Sequence, residues 1–150
     1  MAEVLGFTLK RVKKTRGIEG DGFTCDVEYK GKVIASYEDW GTGALPEFYY
    51  NIEATDEVKA QLIKAAETIG DKNSDETTFV LDLMELMNLE KSFKRGQKQG
   101  YPFLLAGDLD ADTLVSANTH TKEQALQLAK RKKLIKYKVY SSLDDFKITE

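Results

Sequence analysis

Cysteine is nearly absent from this 150-residue chain: Cys25 stands alone, so no intrachain disulfide can form. Histidine is as scarce. His120 is the only one, and acid–base chemistry would have to run mostly on carboxylates. Long apolar runs are missing too. The longest covers a few residues, where a membrane-spanning helix needs about 20. The opening stretch, MAEVLGFTLK, lacks the charged-then-apolar layout of a secretory signal. Together these absences predict a cytoplasmic protein with no membrane attachment. No stretch names a reaction. A serine triad has no elbow motif to rest on. Gly41 and Gly43 give a bare G-x-G, with no helix opening behind it and no third glycine at the dinucleotide spacing.

What is present suits a folded protein. Hydrophobic residues make up 41% of the chain, too many for wholesale disorder. The length fits a single α+β domain over residues 1–150, large enough to bury its own core. The GQKQG stretch at 96–100 is the one candidate subdivision, although each half alone would bury little core. A net charge of −3 counts against a dedicated nucleic-acid binder. The middle of the chain is its acidic part: residues 51–100 hold 10 acidic and 7 basic side chains, residues 101–150 hold 7 and 8.

The expected order is an N-terminal antiparallel β-meander, two central helices and a C-terminal ββαβ unit. Residues 6–15 read as a first strand, with Phe7 and Leu9 alternating against Thr8 and Lys10. Val12 falls out of step, which a bulge would explain. The three glycines of GIEGDG, 17–22, read as a loop. Residues 23–38 form the clearest hairpin. Phe23, Cys25, Val27 and Tyr29 share one face, Thr24, Asp26, Glu28 and Lys30 the other, and Gly31 makes the turn. A polar loop at 39–43 leads to a strand within 45–52 that Pro46 restricts to an edge or a strand start.

Thr55 caps a helix with a buried stripe of Val58, Leu62, Ala65, Ala66 and Ile69, ended by Gly70. Ser74 or Asp75 caps a second helix, to about Arg95, with Phe79, Val80, Leu83, Met84, Leu86 and Met87 on its apolar face. Strands at 102–106 and 113–117 flank a turn. Thr121 and Gln124 fit a capping box opening a helix to Lys133, with Ala125, Leu126, Leu128 and Ala129 inward. Ile135, Tyr137 and Val139 alternate with Lys136 and Lys138 in a last strand. A helical turn follows at 141–146. The span from Thr113 to Ile135 is long enough for a right-handed parallel crossover.

Three sets of residues bear chemistry. The first is Asp39, Trp40 and Thr42, with Phe48, Tyr49 and Tyr50 close behind. Aromatic side chains on loops are common interface anchors. Core packing is the ordinary reading of each ring singly, yet at least one of the group is expected to be exposed. The second is Asp108, Asp110 and Asp112, a D-x-D-x-D spacing that suits a divalent cation, with His120 as base or ligand. As a calcium loop it fails, because Thr113 stands where the turn needs glycine and Thr119 where a bidentate glutamate belongs. A solvated acidic turn is the ordinary reading, and no cofactor is expected. The third set is two basic runs, Lys130, Arg131, Lys132 and Lys133 continued by Lys136 and Lys138, and Lys10, Arg11, Lys13, Lys14 and Arg16. Both suit phosphate contact. The ordinary reading is a helix end that complements its dipole and the outer face of a strand. Cys25 shares a face with Phe23 and Val27, so it reads as a packed core thiol and not as half of a Cys25–His120 dyad.

The stretch 23–43, FTCDVEYKGKVIASYEDWGTG, resembles the hairpin of small, mostly uncharacterised phage and prophage proteins. In that pattern an aromatic-started strand leads through a glycine-lysine turn and a return strand to an Asp-x-Gly-x-Gly loop. Trp40 stands where the pattern carries a more polar residue. The resemblance brings no catalytic residues. It implies a small accessory protein of a phage or mobile element in a bacterial cell, of a kind that binds and inhibits a host enzyme or a defence system. The first functional expectation is therefore a non-enzymatic protein-binding module acting through the Trp40 loop. The acidic middle would aid it, since an acidic face competes with nucleic acid for a basic channel. The alternatives are a metal-dependent enzyme or cation-binding protein centred on the aspartates and His120, and a nucleic-acid binder using the basic runs.

Overall fold

The computed structural model describes residues 1–109 and 114–149. The fold is α+β, with nine strands and three α-helices among the described residues. In order they are β1 (Glu3–Val4), β2 (Phe7–Gly17), β3 (Gly20–Tyr29), β4 (Lys32–Glu38), β5 (Glu47–Tyr50), α1 (Asp56–Ile69), α2 (Glu76–Lys98), β6 (Phe103–Gly107), β7 (Ser116–Thr119), α3 (Lys122–Arg131), β8 (Tyr137–Tyr140) and β9 (Lys147–Ile148). They pack as two compact units. One holds Glu3–Leu83 with Thr149, the other Met1–Ala2 with Met84–Ile148, so α2 contributes to both. None of the described helices is long and apolar enough to cross a membrane.

In the first unit, the four expected strands and the short β1, which was not expected, form an antiparallel meander in the order β5-β4-β3-β2-β1. The alternation of apolar residues sets its register. Leu9 opposes Val27 and Val27 opposes Ala35, so one row of buried side chains runs across three strands. Phe23 packs on Tyr37 with ring centroids 4.8 Å apart, and Phe7 meets Phe79 edge-on at 5.8 Å. Helix α1 buries Leu62, Ala65, Ala66 and Ile69, and the Thr55 hydroxyl accepts the Val58 N–H at 3.2 Å. The slip at Val12 is a bulge. The β2–β3 register shifts between Lys10 and Lys13, Arg11 turns to φ 51°, and Val12 faces out.

The expected loop at 17–22 is instead the tip of a long hairpin. Thr15 opposes Gly22, Arg16 opposes Asp21 and Gly17 opposes Gly20, leaving Ile18 and Glu19 as the turn. Glycine erases the side-chain alternation that marks a strand, but its backbone still pairs across the ladder.

In the second unit, β6 lies between β7 and β8 and is antiparallel to both. Strands β7 and β8 therefore run parallel, and α3 crosses from one to the other. One face of this sheet is covered by α3, where Leu105, Ala125 and Ala129 are fully buried with Leu128, Leu134 and Val139 against them. On the other face Tyr140 stacks on Phe146 at 4.3 Å, and Phe146 meets Phe93 of α2 at 5.5 Å. Gly96 lies within α2, which runs to Lys98, past the expected end. A Cβ there would overlap the amide of Asn118 on β7, so glycine permits the close approach.

The helix α3 opens with the expected capping box of Thr121 and Gln124 but ends earlier than expected. Lys133 takes the left-handed conformation at φ 56°, its N–H reaches the Lys130 carbonyl at 3.1 Å, and the Leu134 N–H reaches that of Ala129 at 3.0 Å. This is a Schellman ending with lysine in the usual glycine position. It turns Leu134 inward, so Ile135 is 100% exposed instead of core-facing and β8 starts only at Tyr137. Leu126, expected inside, is 41% exposed, because the buried stripe is the narrower Ala125–Ala129 pair. Strand β7 begins at Ser116 and not near Thr113, which lies outside the described residues. After β8, Asp145 closes a turn of 3-10 helix. Burial raises its pKa, but hydrogen bonds from the Ser141 and Ser142 backbone and the Ser141 hydroxyl, with the charge of Lys138, outweigh burial and hold its carboxyl below the usual range.

Leu105→Ala is expected to destabilise the chain by about 2–5 kcal/mol, whereas Leu126→Ala should change stability by less than about 0.5 kcal/mol. Chemical unfolding of both variants checks the assignment of inward and outward positions on α3.

Candidate functional site

The first unit carries the most developed surface feature, the segment 39–43 laid across the β2–β3 hairpin tip. Asp39 extends the sheet by one rung, its N–H donating to the Phe23 carbonyl at 3.0 Å. The chain then leaves β4 and crosses the tip. The Thr15 hydroxyl donates to the Asp39 carbonyl, the Glu19 N–H to the Gly41 carbonyl at 2.8 Å, and the Gly41 N–H to the Asp39 carboxylate at 3.0 Å. Glycines on both sides make this possible. A Cβ on Gly17 would overlap the Gly41 carbonyl, one on Gly22 the Asp39 carbonyl, and one on Gly41 the Gly20 carbonyl. Gly41 also sits at φ 69°. Gly17, Gly22 and Gly41 therefore serve one backbone-to-backbone contact, while Gly43 lies against the Glu19 side chain, and the G-x-G is a packing element.

On this fixed backbone Trp40 is 55% exposed, with its indole N–H 3.4 Å from the Glu38 carboxylate. Thr42 is exposed and Asp39 half-buried. Tyr49 is half-exposed on the edge strand β5. Phe48 and Tyr50 pack edge-to-face at 5.0 Å and are half-buried. Lys59 caps the Tyr50 ring at 5.0 Å, and burial together with the nearby Glu76 charge pushes the Tyr50 phenol up. So the aromatic group divides: Trp40 and Tyr49 face solvent, Phe48 and Tyr50 pack. Two neighbours escaped the sequence reading. Ile18 at the hairpin tip is 92% exposed and Leu45 is 87% exposed. For Ile18 the signal was there, an aliphatic side chain alone between glycines in a turn.

The other candidate residues are placed as follows. Asp108 forms an ion pair with Lys136 at 3.7 Å, while Asp110 and Asp112 lie outside the described residues. The His120 ring stacks on Tyr101 at 4.4 Å, with Nδ1 3.2 Å from the Gly100 carbonyl. Among the described residues no three His, Cys, Asp or Glu side chains converge as a metal site would require. Lys130, Arg131, Lys132 and Lys133 are exposed at the C-terminal end of α3, where cations complement the helix dipole. Lys138 reaches the Asp145 carbonyl at 3.0 Å. The other run, Lys10 to Arg16, belongs to the other unit. Arg11 pairs with Asp26 at 2.8 Å and Glu28 at 3.6 Å, and strand alternation sends Lys13 to one face and Lys14 and Arg16 to the opposite one. Cys25 is buried, and burial pushes its thiol up to about 12, away from the depressed range of a reactive thiolate. No family model, curated protein or solved structure matches this chain.

Gly41→Ala is expected to lower stability by about 1–3 kcal/mol, because it combines a left-handed backbone with a clash against main chain. A melting temperature equal to the wild type would contradict the interlocked geometry. Alkali acts on the same unit. Burial raises Cys25 from 9.0 and Tyr37 from 10.0, each to about 12, the latter helped by the charge of Asp39. Folding thus favours the protonated forms. Stability is intact below about pH 9 and falls as pH rises towards about 12. Urea midpoints measured across that range should decline, and a flat profile would contradict the burial.

Proposed function

We propose that this chain is a non-catalytic protein-binding module whose docking element is the Trp40 segment. One observation carries the reading: an indole more than half exposed on a backbone locked by glycine contacts and hydrogen bonds. Single exposed apolar side chains are ordinary. Ile18 and Trp40, presented on two interlocked turns, have the character of an anchor, since little ordering entropy is left to lose on binding, and Leu45 is exposed two residues beyond Gly43. Trp is also the residue type most enriched among energetic hot spots. Given the resemblance of 23–43 to phage accessory proteins, the partner we favour is a host enzyme or defence protein blocked by occupancy.

The test is parallel affinity capture from nuclease-treated bacterial lysate with the wild type and Trp40→Ala, followed by mass spectrometry. The wild type should retain one stoichiometric partner. The variant should fold with a melting temperature near that of the wild type yet bind that partner more weakly by about 2 kcal/mol, roughly 30-fold. A partner held equally by both proteins would sink the proposal.

A further inference from the structure

Resting on that docking reading, we propose that the Trp40 surface receives a basic segment of its partner, a lysine or arginine flanked by apolar side chains. The strand register shows why. Cross-strand partners share a face of a sheet. Lys13 opposes Thr24, Thr24 opposes Glu38, and Glu38 opposes Glu47, so these four side chains form one row. Two carboxylates thus face each other directly, a pairing that repels unless a cation joins it. Tyr49, two residues from Glu47 on β5, lies on the same face.

The same alternation sorts the charges at the hairpin tip. The segment 39–41 crosses the face that carries Thr15, Gly17, Gly20 and Gly22. Lys13 is on that face, and Lys14 and Arg16 are on the opposite one. Arg11 is already paired with Asp26 and Glu28. Glu19 lies beside Gly43, against the crossing segment. The Trp40 side therefore presents Glu19, Glu38, Asp39 and Glu47, with Lys13 as the cation of the Glu38 row and Lys10 beside Asp26 in the adjacent row that ends at Tyr49. None of Glu19, Glu38 and Glu47 has an ion-pair partner within 4.0 Å among the described residues.

The aromatic rings complete the site. Trp40 is 55% and Tyr49 50% exposed, and the indole N–H points to Glu38. A cation over the indole face would be held by the ring and by that carboxylate at once. A neutral partner would desolvate the carboxylates with no counter-charge, and a nucleic acid would bring phosphates against them.

A random peptide display library, panned against the intact chain and counter-selected on Trp40→Ala, tests the assignment. Enriched peptides should carry excess lysine or arginine with at least one apolar residue. They should also shift the emission of Trp40, the only tryptophan in the chain. The double variant Glu38→Gln, Glu47→Gln should keep its circular dichroism and bind those peptides roughly fivefold more weakly. Added salt should weaken binding to the wild type. Trp40-dependent peptides that are neutral or acidic, or an unchanged affinity in the double variant, would overturn the charge assignment and leave the docking reading standing. A library that yields no Trp40-dependent peptide would overturn both.

Discussion

The contact on which the candidate site depends is between two backbones. The turn at 17–20 and the segment 39–43 lie so close that side chains cannot come between them, and the Glu19 N–H donates to the Gly41 carbonyl across the gap. Remove that contact and Trp40 sits on a free polar loop, where ordering it would oppose binding. With the contact in place, the backbone that carries the indole is tied to the sheet at Asp39 and to the hairpin tip at Gly41. The length of β2 and β3 follows from the same need. Their tip extends past the end of β4 and gives the crossing segment something to lie on, and their pairing continues through three glycines to do so.

Much of the fold was legible because it rests on alternation. Phe23, Cys25, Val27 and Tyr29 point to one face as their spacing requires, and Thr55 and Thr121 cap where their side chains can reach the backbone. Failures came where a local backbone choice overrides the pattern. Glycines at 17, 20 and 22 look like a loop because they have no side chain to alternate, although the ladder runs through them. Ile135 reads as inward until Lys133 adopts a left-handed conformation and turns Leu134 inward in its place. Phe93 and Phe146 meet from elements far apart in the chain, which no local period can reveal. At the site, the exposure of a ring among Trp40 and its neighbours was readable from composition. The division into exposed Trp40 and Tyr49 against packed Phe48 and Tyr50 needed the register of β4 and β5.

Charge was the least legible property, because a run in sequence is not a patch in space. Lys13 and Lys14 are neighbours in the chain yet point to opposite faces of β2. The acidic excess of the chain is densest in residues 51–100, but the acids around Trp40 come from 19, 38, 39 and 47. The second unit uses its charges locally. Lys136 meets Asp108, Lys138 meets the turn after β8, and the α3 terminus is balanced by the cations that follow it. The same residue types thus serve a helix end in one unit and leave an acidic rim in the other.

Trp40 is exposed on a backbone held by the hairpin tip. Because it is the only tryptophan, time-resolved fluorescence anisotropy combined with acrylamide quenching reads both properties without any partner. Quenching should be efficient, and depolarisation should be dominated by slow tumbling of the folded protein. Large-amplitude motion on the sub-nanosecond scale, or an indole shielded from acrylamide, would contradict that geometry.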